Sequence, residues 1–223
     1  MKKFIKRVIS MFPISWQQEI RRLRFAYQIK RDIFETKLKE CDFLEQLISK
    51  GDYVIDVGAN IGHYTAKMSK LVGSQGQVFA FEPISETFDI LSSNVNHLPH
   101  KNVTLINAAA SNRIGFAEMR VPKFDTGLPN YYMAQIDESG GELKVYCLCI
   151  NSLGLPNKIK LIKIDAEGHD YEVLLGMIDL IKRDRPVIIA EDKSKKVIDF
   201  LERFGYRMAN IPESENVIFN FQK

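Results

Sequence analysis

The stretch Val54-Ile55-Asp56-Val57-Gly58-Ala59-Asn60-Ile61-Gly62-His63-Tyr64-Thr65 constrains this chain more than any other. It opens as a short apolar run rich in β-branched residues, which reads as a buried strand. It then turns through Gly58, Asn60 and Gly62 and runs straight into a helical pattern. The alternation continues with strand 53–57, helix 63–72, strand 77–81, helix 84–96 and strand 102–107. After a β-rich interval come strand 160–164, helix 169–182, strand 186–190, helix 194–203 and strands near 206–210 and 216–221. Such alternation predicts a mostly parallel sheet covered by helices on both faces. The link between the last two strands is too short for a helical crossover, so that pair should be antiparallel.

Two regions depart from this rhythm. Between 111 and 150, "GFAEMRV" and "ELKVYCLCI" read as two strands joined by a polar loop carrying Tyr131, Tyr132 and Met133. Residues 2–50 read as helical, with a break at Pro13 and a new start at Ile14-Ser15. Their apolar positions Trp16, Ile20, Leu23, Tyr27, Phe34, Leu38, Phe43, Leu44 and Leu47 recur mostly at helical spacing. The expected organisation is an N-terminal helical extension over 1–50 and one α/β domain over 51–223.

A net charge of +3 does not single out a nucleic-acid partner. The charge is uneven, however: the first 39 residues hold eleven basic residues against Glu19, Asp32 and Glu35. In "MKKFIKRVISMF", Phe4, Ile5, Val8, Ile9 and Phe12 share a helical face, with Lys2, Lys3, Lys6 and Arg7 mostly around the rest. That pattern suits a lid over the cleft or a weak contact with an anionic membrane surface. No cleavage signal follows it, and no run of about 18 apolar residues occurs to span a bilayer. Three cysteines suit neither a disulfide framework nor a zinc site, so a reduced, cytoplasmic setting is expected, peripheral to the inner membrane surface if the contact forms.

The glycine turn tests its ligand. A phosphate loop would need Lys and a hydroxyl residue after the glycines, and none follows. A dinucleotide fingerprint starting at Gly58 would need glycines where Asn60 and His63 stand. S-adenosylmethionine, which carries no phosphate, demands less. Asp56 would meet its ammonium group, and Gly58 and Gly62 would let the backbone pass under the sugar. Asn60 tolerates positive φ better than most residues. Glu82, at the end of the next strand, stands where an acidic residue grips ribose hydroxyls.

A second carboxylate group closes the strand 160–164. Lys163 alternates with Ile162 and Ile164, Asp165 follows, and Glu167-Gly168 turns into a helix. Ligands collect at the carboxyl ends of strands in such sheets, so Asp165 should face the same cleft as Asp56. The competing reading makes Asp165 a helix cap and Glu167 a first-turn acid.

"VIDVGANIGHYT", "VFAFEP", "NVTLINAAASNRIG" and "LIKIDAEGHDYEVLLG", in this order and spacing, closely resemble the FkbM family of S-adenosylmethionine-dependent methyltransferases, over roughly residues 51–192. The resemblance implies a Rossmann-like, seven-stranded methyltransferase fold with an antiparallel last strand. It implies methyl transfer to a hydroxyl oxygen of a sugar, glycan or polyketide-type acceptor. On this resemblance Asp56, Gly58, Ala59, Asn60, Gly62 and Glu82 would bind the cofactor, and Ala108 and Ala109 would lie along the adenine. Asp165 and Glu167 would sit at the reacting centre, with Lys163 keeping a neighbouring carboxylate ionised. Relatives often follow the fifth strand's acid with His, whereas "PVIIAEDKS" offers Glu191 and no His nearby. A magnesium ion on Asp165 and Glu191 is an alternative to a carboxylate base. The rival readings are an NAD-dependent oxidoreductase or epimerase, and a non-catalytic membrane or nucleic-acid adaptor with an inert core.

Overall fold

The computed structural model describes residues 14–34, 40–124, 129–137 and 139–222. The amphipathic reading of 2–12 lies outside them. Within them runs the expected alternation, with strand β1 (Tyr53–Val57), helix α3 (His63–Val72), β2 (Gln77–Phe81), α4 (Ser85–Val95) and β3 (Val103–Ile106). Then come β8 (Ile159–Ile164), α5 (Asp170–Leu175), α6 (Ile178–Asp184), β9 (Val187–Ala190), α7 (Lys195–Arg203), β10 (Tyr206–Asn210) and β11 (Val217–Phe221).

These strands form one seven-stranded sheet in the order β10-β11-β9-β8-β1-β2-β3. All its pairs are parallel except those of β11, which runs antiparallel to both β9 and β10. The chain moves outward from β1 through β2 to β3, then returns to the other side of β1 as β8. The carboxyl ends of β1 and β8 therefore flank the switch point, where a crevice opens in sheets of this kind. The strands are apolar on both faces because helices cover both: Val54, Ile55, Leu161, Ile162, Ile188 and Ile189 are fully buried.

The helix expected over 169–182 is two helices. A Cβ at Gly176 would overlap the carbonyl oxygen of Ser111, so the chain touches another backbone there and the helix breaks around Met177. Between β3 and β8 lies a second, four-stranded sheet, β4-β7-β5-β6, built from β4 (Ala109–Ala110), β5 (Gly115–Arg120), β6 (Gln135–Ile136) and β7 (Leu143–Leu148). The two strands read from the sequence, β5 and β7, pair antiparallel at its centre. The loop returning from β5 carries a 3-10 turn, Tyr131–Met133.

Ahead of β1 stand α1 (Ile14–Lys30) and α2 (Glu40–Leu47). The second is integral to the domain: Cys41, Leu44 and Ile48 share a core cluster with Val54, Tyr64 and Met68. The first presents two different faces. Its stripe Trp16, Ile20, Leu23 and Tyr27 faces away from the protein, while Phe25 and Ile29 pack against a cluster formed by Phe34, Ile61 and Ile90.

Candidate active site

One cleft occupies the switch point, with an empty volume of about 850 Å³, its open mouth included. Gly58 and Asn60 enter it from the β1–α3 turn, Glu82, Pro83 and Ile84 from the end of β2, Ala108 from the loop after β3 and Ala109 from β4. Asp165, Glu167 and His169 follow β8, and Tyr131, Tyr132 and Met133 form a wall from the second sheet.

The turn after β1 is held by backbone bonds. Gly58 N and Ala59 N both donate to the carbonyl of Phe81, at 3.0 and 2.8 Å. Gly58 has φ +74°, and a Cβ there would overlap the carbonyl oxygen of Asp165. Only glycine meets both demands. Asn60 takes φ +51°, and its Oδ1 accepts from Ile61 N at 2.8 Å, a local bond that offsets the cost of that conformation.

Glu82 joins the turn to the second strand. Its Oε2 accepts from Asn60 N at 2.9 Å and its Oε1 from Ile84 N at 3.0 Å. It is 4% exposed, and burial pushes its carboxyl up to about 7 against the pull of those two amides. Each oxygen keeps a lone pair for a further donor, which fits the paired hydroxyls of a ribose.

Asp56 does not line the cleft. It is fully buried, Thr65 Oγ1 donates to its Oδ2 at 2.6 Å, and burial raises its carboxyl despite the opposing charge of Lys163. It stands in register with Lys163 on the neighbouring strand. Lys163 is itself buried, its Nζ 2.6 Å from Asp165 Oδ2 and 4.6 Å from the centre of the Tyr64 ring. Lys163 therefore reaches the cleft only through Asp165, its ion-pair partner, and Asp56 sits behind the wall on the neighbouring strand. Ala59 and Gly62 also lie outside the lining. Gly62 instead caps α3 with φ +93°, where a side chain would meet Leu91.

Asp165 is not a helix cap. The residue capping α5 is His169, and the carboxylate that ties this loop down is Asp170. Its Oδ1 accepts from Ala166 N at 3.1 Å and its Oδ2 from Asp192 N at 3.2 Å. Asp165 and Glu167 are thereby left to face the cleft. Glu167 holds φ +47°, a strained position for a side-chain-bearing residue, and accepts no hydrogen bond from a described residue. Burial, then the charges of Asp165, Glu191 and Asp170, push its carboxyl up to about 7. Oxygens of Asp165, Glu167 and Glu191 lie within 4.8 Å of one another, a set that could hold a divalent cation.

Sequence reasoning placed Glu82, Gly58, Asn60, Ala108, Ala109, Asp165 and Glu167 at one site, and the fold brings these seven together. It gave the wall of Tyr131, Tyr132 and Met133 no role. His169 also lines the cleft, with its Nε2 3.0 Å from Ser111 Oγ. His63, by contrast, stacks on Phe34 with ring centres 4.2 Å apart, outside the cleft.

A model of the methyltransferase FkbM domain matches residues 56–208. Among curated proteins, the hexuronic acid methyltransferase AglP of Haloferax volcanii is 28% identical over 182 residues, covering 80% of this chain and 68% of that protein. A protein-L-isoaspartate O-methyltransferase of Fervidobacterium nodosum is 27% identical, covering 68% of this chain and 65% of its own length. The solved methyltransferase FkbM of Methylobacillus flagellatus superposes with a TM-score of 0.52 at 12% identity, over 80% of this chain and 50% of that one. At that identity the likeness speaks for the fold alone. The match over 56–208 takes in the glycine turn, Glu82 and the Asp165–Glu167 loop, and the chain belongs to the FkbM family of S-adenosylmethionine-dependent methyltransferases.

Proposed function

We propose that the enzyme moves the methyl group of S-adenosylmethionine to a hydroxyl oxygen of a sugar acid or glycan. Glu82 would receive the ribose hydroxyls, Gly58 and Asn60 would carry the backbone under the sugar, and Ala108 and Ala109 would face the adenine. The methyl group would then point toward Asp165 and Glu167. Bound there, S-adenosylmethionine would supply the methyl group, and Glu167 would take the hydroxyl proton as the O–CH₃ bond forms and the S–CH₃ bond breaks. The observation that carries this reading is Glu167, a carboxyl near 7 facing the cleft, because a general base works best near the operating pH. Asp165, fixed by Lys163, would orient the acceptor hydroxyl.

Support for a sugar acid comes from the AglP relative, named for a hexuronic acid. A uronate carboxylate as the methylated group is the second reading. The carboxylates of Asp165, Glu167 and Glu191 would repel it unless a magnesium ion bound there supplied charge neutralisation. One experiment separates the readings: methyl-labelled S-adenosylmethionine with a panel of uronic acids and neutral sugars, with and without chelator. Base-stable methyl ethers formed despite chelator support the first reading, and base-labile esters requiring magnesium support the second. Calorimetric binding of NADH but not S-adenosylhomocysteine would overturn both.

A further inference from the structure

Helix α1 has two faces of different character. Phe25 and Ile29 turn inward, and Arg22 reaches Glu19 at 3.4 Å and Asp89 of α4 at 3.8 Å. Outward stand Trp16, Ile20, Leu23 and Tyr27, with 62, 36, 65 and 58% of their surfaces exposed. Spaced four, three and four residues apart, they occupy an arc of about 60° on the helix. Exposed Arg24 and Arg31 follow one side of this stripe and Lys30 with Glu19 the other, with the Arg31 guanidinium 5.6 Å from the Tyr27 ring centre. Among the described residues no helix is long and apolar enough to cross a membrane.

Four large apolar side chains in line, exposed on a basic helix, call for an occupant. Charge decides which. A second copy docking through the same face would set Arg24, Lys30 and Arg31 against their own duplicates. A negatively charged surface with an apolar layer just beneath it meets both demands. Trp16 and Tyr27, at the two ends of the stripe, are the residue types that settle at the boundary between headgroups and acyl chains.

We propose that α1 is a membrane-docking helix. It lies in the plane of an anionic lipid bilayer, with Trp16, Ile20, Leu23 and Tyr27 below the headgroups and Arg24, Lys30 and Arg31 at the lipid phosphates. The surface is independent of the reaction, and its failure would leave the catalytic reading untouched.

Trp16 is the chain's only tryptophan, so intrinsic fluorescence reports on this stripe alone. The full chain is titrated with vesicles of phosphatidylcholine and of phosphatidylcholine with phosphatidylglycerol. The expected result is a blue shift of Trp16 emission and co-sedimentation with the anionic vesicles only, reversed by salt. Each basic residue at the surface contributes about fivefold to partitioning, so Arg24→Glu with Arg31→Glu should weaken it at least about 25-fold. Ile20→Ser with Leu23→Ser should weaken it about tenfold or more. Both pairs are exposed, and an unchanged melting temperature with S-adenosylhomocysteine checks that each variant is folded. No shift with either vesicle, or an equal shift with both, overturns the proposal. So does a stable dimer or an acidic protein partner that buries Trp16 where vesicles do not. Undiminished binding by the stripe variants, with loss only on deleting residues 2–12, would assign the contact to the N-terminal segment and overturn it as well.

Discussion

The two ends of the cleft are built on opposite principles. At the proposed cofactor end the carboxylate and the turn are tied to the backbone. Glu82 accepts two backbone amides, Asn60 bonds the next amide, and Asn107 Nδ2 donates to the Glu82 carbonyl at 2.8 Å. At the acceptor end Asp165 has Lys163, while Glu167 sits in a strained backbone conformation with like charges around it. The first end is fixed by the fold's own hydrogen bonds, so a ligand that fits it would meet donors and acceptors that need not reorganise. The second stores repulsion that a proton relieves. A group destabilised in this way gives up stability for reactivity.

Gly58 is where the two ends touch, and changing it should have the largest effect. Gly58→Ala forces an L side chain into φ +74° and drives its Cβ into the Asp165 carbonyl. Left-handed strain costs about 1–2 kcal/mol and overpacking about 1–3 kcal/mol. The expected outcome is a sharp fall in melting temperature together with loss of S-adenosylhomocysteine binding and of turnover. A variant that kept the affinity and lost only turnover would show that the ends are not joined through this contact.

Glu167→Gln should separate them. It keeps the shape and removes the proposed base, so turnover is expected to fall about 10²–10⁴-fold while affinity for S-adenosylhomocysteine stays within about twofold. The wild-type rate should rise with pH through about 7, as Glu167 ionises, and that limb should vanish in the variant. Melting temperature provides a second readout. A carboxyl whose folded value is raised loses stability as pH climbs from its ordinary range through about 7, so Glu167→Gln should be the more stable protein at pH 8. Equal stability at pH 8 would mean that no repulsion is stored there.

This asymmetry also marks what the sequence discloses. The sheet was legible because central strands such as β1, β2 and β9 are short apolar runs closed by glycine or an acid, and β1, β2 and β10 keep their expected bounds. The break at Gly176 was not, because its cause is a carbonyl 65 residues earlier in the chain. Strands β4 and β6, of two residues each, are too short to carry a pattern. At the site, Glu82 and Asp165 announce themselves by standing at strand ends. Asp56 announces itself identically, yet it is buried, because only the register across β1 and β8 reveals that Lys163 stands beside it. In α1 the period identified a face without its direction. The inward positions are filled by Phe25 and Ile29, which the apolar stripe had overshadowed.

The smallest expected effect belongs to the cofactor end and tests whether its order is held by Glu82. Glu82→Ala removes the proposed ribose acceptor, and losing a charged hydrogen-bond partner typically costs about 1.5–3 kcal/mol, or about 10–150-fold in affinity for S-adenosylhomocysteine. The pH dependence gives the sharper signature. Burial raises Glu82 from 4.5 to about 7, so the free protein binds this proton more tightly than the unfolded chain does. Its contribution is therefore greatest below about 4.5 and is lost as pH rises through about 7, by about 3 kcal/mol at most. Two ribose hydroxyls donating to the ionised carboxylate reverse that loss. Affinity for S-adenosylhomocysteine should consequently increase between pH 6 and pH 8 in the wild type and stay flat in Glu82→Ala. Glu167, at the far end, titrates over the same range, but Glu167→Gln should keep the slope of affinity with pH while losing the slope of rate. Calorimetry of both variants at the two pH values decides the matter: a slope of affinity that follows Glu167 instead of Glu82 would mean that the ends of the cleft titrate as one.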